Sequence, residues 1–147
     1  MKEKIISYLK DKNIEIPEKI DEIINLYFGS LVSTSINYWF DRCCDFMDNI
    51  EPPQPFVRPD SDIAKTDKNY REQFSKLNNE SKEQLKNLIK ESIEGVLFSV
   101  FNNLDQSSIG EWKISLKSAD GNEKGFVNSD TELHEDLYKW IDTFNEN

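Results

Sequence analysis

The sequence predicts a mostly helical α+β fold, and three observations carry that prediction. Two long segments, near 17–50 and 80–104, place apolar residues three and four positions apart, the spacing of one helix face. A later stretch, Trp112-Lys113-Ile114-Ser115-Leu116-Lys117, alternates with period two, as a half-buried strand does. The chain then returns to helical spacing, with Leu133, Leu137, Trp140, Ile141 and Phe144 on one stripe. This predicts a helical core, a C-terminal β-hairpin and a final acidic amphipathic helix.

The elements follow in order. Residues 3–12 put Ile5, Ile6 and Leu9 on one face. Asn13 and the extended Ile14-Glu15-Ile16 end that helix before Pro17, whose missing N–H is not needed in a first helical turn. Glu18, Asp21 and Glu22 in that turn complement the helix dipole. From Pro17 a stripe runs through Ile20, Ile23, Ile24, Tyr27, Phe28, Leu31, Tyr38 and Trp39. A second stripe, Ile36, Phe40, Cys43, Met47 and Ile50, opens on another face, which predicts a central helix covered on several sides. Gly29 permits a close helix crossing or a bend. Four of the five prolines fall in 51–61 and predict a stiff, extended connector. A modest helix is expected over Asp62–Leu77. The 80–104 helix is expected to pair with 17–50 and make the main core. The 110–128 hairpin turns at Asp120-Gly121. A lone hairpin is marginal in water, so Trp112, Ile114, Leu116 and Phe126 are expected to pack on the helices. Ser129-Asp130-Thr131-Glu132 has the form of a capping box and opens a terminal helix over 130–146. The length suits one domain spanning 1–147.

Composition excludes several functions. With 28 acidic and 18 basic side chains the formal charge is −10, which repels nucleic acid and anionic membrane surfaces. No apolar run reaches the roughly 20 residues of a membrane span, and Met1-Lys2-Glu3-Lys4 leads into no signal-type stretch, so a cytoplasmic protein is expected. A 37% hydrophobic content with 17 aromatic rings is too apolar for a disordered acidic tail. The two cysteines, Cys43 and Cys44, are adjacent and staple no loop. On a helix they point about 100° apart, so they share no metal and read as reduced thiols.

Chemistry-bearing motifs are sparse. His134 is the only histidine, with Asp130 four residues before it and Glu135 after it, the material for an acid/base pair or half a metal site. There is no second histidine, no Glu-x-x-His pair, no nucleophile elbow and no glycine-rich phosphate loop. The sequence therefore predicts no catalytic residue, no metal and no cofactor. Charge distribution says more. Residues 1–50, 51–104 and 105–147 carry −3, −1 and −6, so most of the charge lies near the C-terminus. Glu132, Glu135, Asp136, Asp142 and Glu146 oppose the apolar stripe of the last helix, with Lys139 alone among them. Like charges at these spacings cost a few tenths of a kcal/mol each, and a merely solvated helix usually mixes signs. Solubility is the plain explanation. The functional one is a docking face for a basic protein, made by Glu132, Glu135, Asp136 and Asp142 with Tyr138 as exposed anchor. Reversing those four acids to lysine is expected to leave folding intact and abolish binding.

A small acidic chain with a long helix ending Phe101-Asn102-Asn103-Leu104-Asp105, a short hairpin and a terminal Glu132-Leu133-His134-Glu135-Asp136-Leu137-Tyr138-Lys139-Trp140 helix resembles the bacterial immunity proteins of polymorphic toxin systems. The resemblance implies tight binding to a cognate toxin, through acidic residues around a few aromatic anchors. Two alternatives stand beside it. One is a structural or regulatory interaction module that uses the proline-rich connector or an apolar groove, with a homodimer as one form it could take. The other is a small enzyme or metal protein built on His134, Asp130 and Glu135.

Overall fold

A computed structural model describes residues 1–51, 58 and 60–145. The order is α1 (Lys2–Asp11), α2 (Ile20–Asp48), α3 (Asp62–Phe74), α4 (Asn79–Asp105), β1 (Ser115–Lys117), β2 (Lys124–Phe126) and α5 (Leu133–Asn145). This is the mostly helical α+β class, with an antiparallel hairpin near the C-terminus. Of the proline-rich connector, residues 52–57 and 59 lie outside the described residues, as does Glu146. The chain divides into two compact units. One comprises residues 1–35 and 95–147, the other 36–94, and α2 and α4 contribute to both.

The first unit buries Ile5 and Leu9 of α1, Ile23 and Ile24 of α2, Phe101 of α4, and Leu133, Leu137, Trp140 and Ile141 of α5. Helix α1 ends where Asn13 adopts a left-handed φ of 57°, a conformation asparagine tolerates better than most residues. The Asn13 and Ile14 N–H groups then donate to the Lys10 and Leu9 carbonyls at 2.9 and 3.1 Å. Trp140 sits edge-on to Phe28 and Phe101, with centroids 5.5 and 6.1 Å away, and lies directly over Gly29. The missing side chain at Gly29 thus leaves the room that the Trp140 indole fills.

The hairpin is shorter than the sequence suggests, and Trp112 lies outside it, 56% exposed rather than packed on the helices. The cause is Asn128. Its side chain donates to the Trp112 carbonyl at 2.6 Å and accepts from the Ile114 N–H at 2.9 Å, ending the ladder where a strand would continue. The turn is as expected. Gly121 takes φ 76°, and Asp120 accepts from the Ser118 hydroxyl and, at 3.1 Å, from the Asn122 N–H. The Ser118 hydroxyl and Asn122 together hold the Asp120 carboxyl below its ordinary range.

In the second unit Ile36 and Met47 of α2 are buried, and Tyr70 meets Phe46 edge-on and stacks on Phe74, with centroids 6.1 and 6.0 Å apart. Ser61 caps α3 by accepting from the Ala64 N–H at 3.2 Å. Lys82 reaches the Met47 carbonyl at 2.6 Å, and Lys86 pairs with Asp48 at 3.0 Å.

Two expectations about the long helices are corrected. Tyr38 and Trp39 are more than half exposed, so the second half of α2 is not covered all round. In α4 only Phe101 is buried among the described side chains, while Leu88, Val96 and Val100 are exposed. Periodicity identifies a helix and its apolar face, but it does not say how many neighbours will cover that face. Among the described residues, no helix is long and apolar enough to cross a membrane.

Candidate partner-binding site

The site forms where α4 ends and α5 begins. The sequence gives the start of α5 to a Ser129–Glu132 capping box at 130; the helix instead starts at Leu133 and its cap comes from Asp105. The Asp105 carboxylate accepts from the His134 N–H at 2.9 Å and pairs with His134 Nδ1 at 2.8 Å. One side chain thus fixes the helix start and the imidazole. Burial raises the Asp105 carboxyl, but the bonds from the backbone and ring of His134 and from the Leu133 backbone outweigh it and leave it below the ordinary range. A carboxyl lowered on folding stabilises the fold above its unfolded pKa of about 4, and that contribution fades as pH falls through the lower folded value. Protection of the His134 amide from exchange should therefore drop on acidification below about pH 4. In Asp105→Asn it should start lower and change less over that range.

His134 accordingly faces Asp105 and not Asp130, which lies outside the helix, so the four-residue spacing has no meaning there. Asp130 instead comes within 3.9 Å of Lys19. Glu132 lies 3.6 Å from His134 Nδ1. Glu132, His134 and Glu135 each offer a ligand atom within 4.8 Å of the others, so these three are the residues that would hold a metal.

Beside this junction an open cleft of about 540 Å³ is lined by Asp105, Glu111, Trp112, Asp130, Glu132 and Glu135 among others; among the described residues its lining holds no lysine or arginine, and Glu111 pairs with Lys113 at 3.2 Å. Carboxylates brought together in one concave wall concentrate negative potential, because the low-dielectric walls focus the field. Trp112 is the aromatic surface in that wall. The site can therefore hold a cation by charge and by the face of an indole ring.

The four acids and the tyrosine of the terminal helix fare differently. Glu132 and Glu135 line the cleft. Tyr138 is 48% exposed and leans on Phe98, centroids 5.9 Å apart, and Asp142 is exposed further along the helix. Asp136 is not on the surface at all, being 4% exposed. Its carboxylate accepts from Asn25 Nδ2 at 2.7 Å, from the Thr131 hydroxyl, and from Lys139 at 3.0 Å. Asn25 also donates to the Val127 carbonyl at 2.8 Å and accepts from Trp140 Nε1 at 2.8 Å, so Asp136 belongs to the polar network beneath α5.

No known protein family, curated protein or solved structure matches this chain.

Sequence reasoning missed Glu111 and Trp112, because Trp112 falls in phase with the strand alternation and reads as buried.

Because Asp136 is built into the polar network, the four-acid reversal is corrected. Asp136→Lys should unfold the first unit, since burying an unpaired ammonium among the Asn25 and Trp140 partners costs several kcal/mol. Glu132→Lys with Glu135→Lys and Asp142→Lys should leave the fold intact, as judged by an unchanged circular dichroism spectrum and melting transition.

Proposed function

We propose that this chain is a non-catalytic, acidic protein-binding protein of the immunity or inhibitor kind, which neutralises a basic partner such as a toxin domain. The single observation that carries the reading is the cleft beside the start of α5. It gathers carboxylates from the α4 end, the 111–112 segment and the α5 start around an exposed tryptophan. Charge alone would disperse over the surface and serve solubility. Here it converges on a concave wall with an aromatic anchor, the arrangement that steers a basic partner and then holds one of its cations. Glu135, Tyr138 and Asp142, at offsets of three and seven along α5, extend the same surface.

The test is affinity capture from host lysate with two baits, the wild-type chain and a Trp112→Ala/Glu132→Lys/Glu135→Lys variant, eluted in rising salt. One basic protein should stay on the wild-type bait past physiological salt and leave the variant early. Equal retention by both baits, or no specific retention, would overturn the proposal. Stoichiometric metal in the purified protein would count against it too, by assigning Glu132, His134 and Glu135 to an ion.

A further inference from the structure

We infer that the free edge of β1 is a docking site for an extended segment of another protein, one that carries acidic side chains on its outward face and a small aliphatic side chain on its inward face. The inference is independent of the acidic cleft.

The hairpin pairs in the register Ser115↔Phe126, Leu116↔Gly125, Lys117↔Lys124. It is flanked by bonds from the Val127 N–H to the Ile114 carbonyl at 2.8 Å and from the Ser118 N–H to the Glu123 carbonyl at 2.9 Å. In an antiparallel pair the bonded positions alternate, so 114, 116 and 118 face β2 while the N–H and C=O of 113, 115 and 117 point the other way. The two edges of this hairpin differ. On the β2 edge, α2 closes the ladder, with Asp21 Oδ1 accepting from the Phe126 N–H at 2.7 Å. On the β1 edge, among the described residues, no such partner meets 113, 115 or 117.

Beside that edge lies an apolar groove of about 80 Å³ between the hairpin's inner face and α2, lined by Ile24, Tyr27, Phe28, Leu31, Ile114 and Leu116 among others. Its volume is roughly half that of the ~150 Å³ apolar cavity that accepts a benzene, which suits one branched aliphatic side chain. Leu31 at its margin is 45% exposed. A strand added to β1 would direct every second side chain towards this groove, because side chains alternate across a strand. Main-chain bonds would then supply affinity and the groove selectivity, as in strand-addition recognition generally.

Charge decides the occupant. Lys113, Ser115 and Lys117 are exposed on the outward face. Lys113 contacts Glu111 at 3.2 Å, while Lys117 has no carboxylate partner among the described residues. If a second copy paired here antiparallel about Ser115, Lys113 of each chain would face Lys117 of the other, and like charges directly opposite are destabilising. The lysines thus guard the edge against self-pairing. They also favour a foreign strand of the pattern acidic–aliphatic–any–aliphatic–acidic.

The experiment titrates the full chain with the peptide acetyl-Glu-Val-Thr-Val-Glu-amide, and with its Lys-Val-Thr-Val-Lys counterpart, followed by amide and methyl NMR. The acidic peptide should shift the Ser115 and Lys117 amides and the Leu31 and Leu116 methyls saturably, and bind about tenfold tighter than the basic one. Ser115→Pro removes an N–H that donates to nothing in the fold, at an edge position where proline is tolerated, so it should abolish binding while leaving the rest of the spectrum in place. Lys117→Glu should erase or invert the preference between peptides. Absence of saturable shifts at these groups, or binding that survives Ser115→Pro, would overturn the inference. A dimer that Ser115→Pro dissolves would do so as well, by giving the edge to a second copy.

Discussion

Gly29→Ala is expected to destabilise the first unit by about 1–3 kcal/mol, although alanine is the better helix former. A Cβ at position 29 would stand 2.3 Å from both Cδ1 and Cγ of Trp140 and 2.7 Å from Nε1. The neighbour is a rigid indole fully enclosed by α2, Phe28 and Phe101, so it cannot yield by a small rotation. Displacing it overpacks the core, at about 1–3 kcal/mol or more, and breaks the Trp140–Asn25 hydrogen bond, worth about 1 kcal/mol. Against this, replacing a mid-helix glycine gains about 1 kcal/mol. Gly95→Ala isolates that last effect, because nothing lies within 4 Å of a Cβ there. It should stabilise by about 0.5–1 kcal/mol. The same substitution in two helices should thus move stability in opposite directions in urea titrations. Loss of near-ultraviolet aromatic dichroism in Gly29→Ala alone would mark the displaced tryptophan. A Gly29→Ala protein as stable as wild type would contradict the packing of α5 on α2.

The sequence exposes what is local and conceals what is assembled. Ile20, Ile23, Ile24 and Phe28 at helical spacing specify α2, and Asp120-Gly121 specifies the turn, because both signals lie within a few residues. Trp112 failed because its place in the alternating pattern is correct, while the strand is cut short by Asn128, 16 residues later. Asp136 failed for a similar reason. Its helical position makes it a neighbour of Glu132 and Glu135, but Asn25, 111 residues earlier, takes it inside. The cleft depends on three separate segments meeting. The sequence marks Glu132, Glu135, Asp136 and Asp142 as an excess of one sign near the C-terminus and Asp130 as a companion of His134, but sorting them into cleft, surface and buried network takes the tertiary structure.

Arg71 shows the same limit in the second unit, and its replacement should have the largest effect there. In sequence it is a polar residue on a weakly amphipathic helix. In the fold it is 4% exposed, and its guanidinium donates to the Asp45 carbonyl at 3.1 Å, the Asn49 carbonyl at 3.0 Å and the Asp45 carboxylate at 2.6 Å. Asp67 lies 3.3 Å from Nε, and the guanidinium carbon stands 4.8 Å from the Phe46 ring centroid. The Asn49 carbonyl lies just past the end of α2, where backbone acceptors run out of intrahelical donors, while the Asp45 carbonyl also accepts from the Asn49 N–H at 3.0 Å, so α3 closes the end of α2 through one side chain. Arg71→Met keeps the bulk and removes every donor. Losing one partner of a buried ion pair costs about 3–5 kcal/mol, and the low end applies because Asp45 and Asp67 keep about a quarter of their side-chain surface in water. Arg71→Lys should fall between, since an ammonium cannot span acceptors that a planar fork reaches together. Acid provides an independent check. Hydrogen bonding to Arg71 lowers the Asp45 carboxyl despite partial burial, so wild type should lose this contribution as pH falls through the folded Asp45 value, whereas Arg71→Met has little left to lose. Amide exchange over residues 36–94 would report both effects. An Arg71→Met chain within 0.5 kcal/mol of wild type, with unchanged acid sensitivity, would mean that aromatic packing of Phe46, Tyr70 and Phe74 holds α3 in place without the arginine.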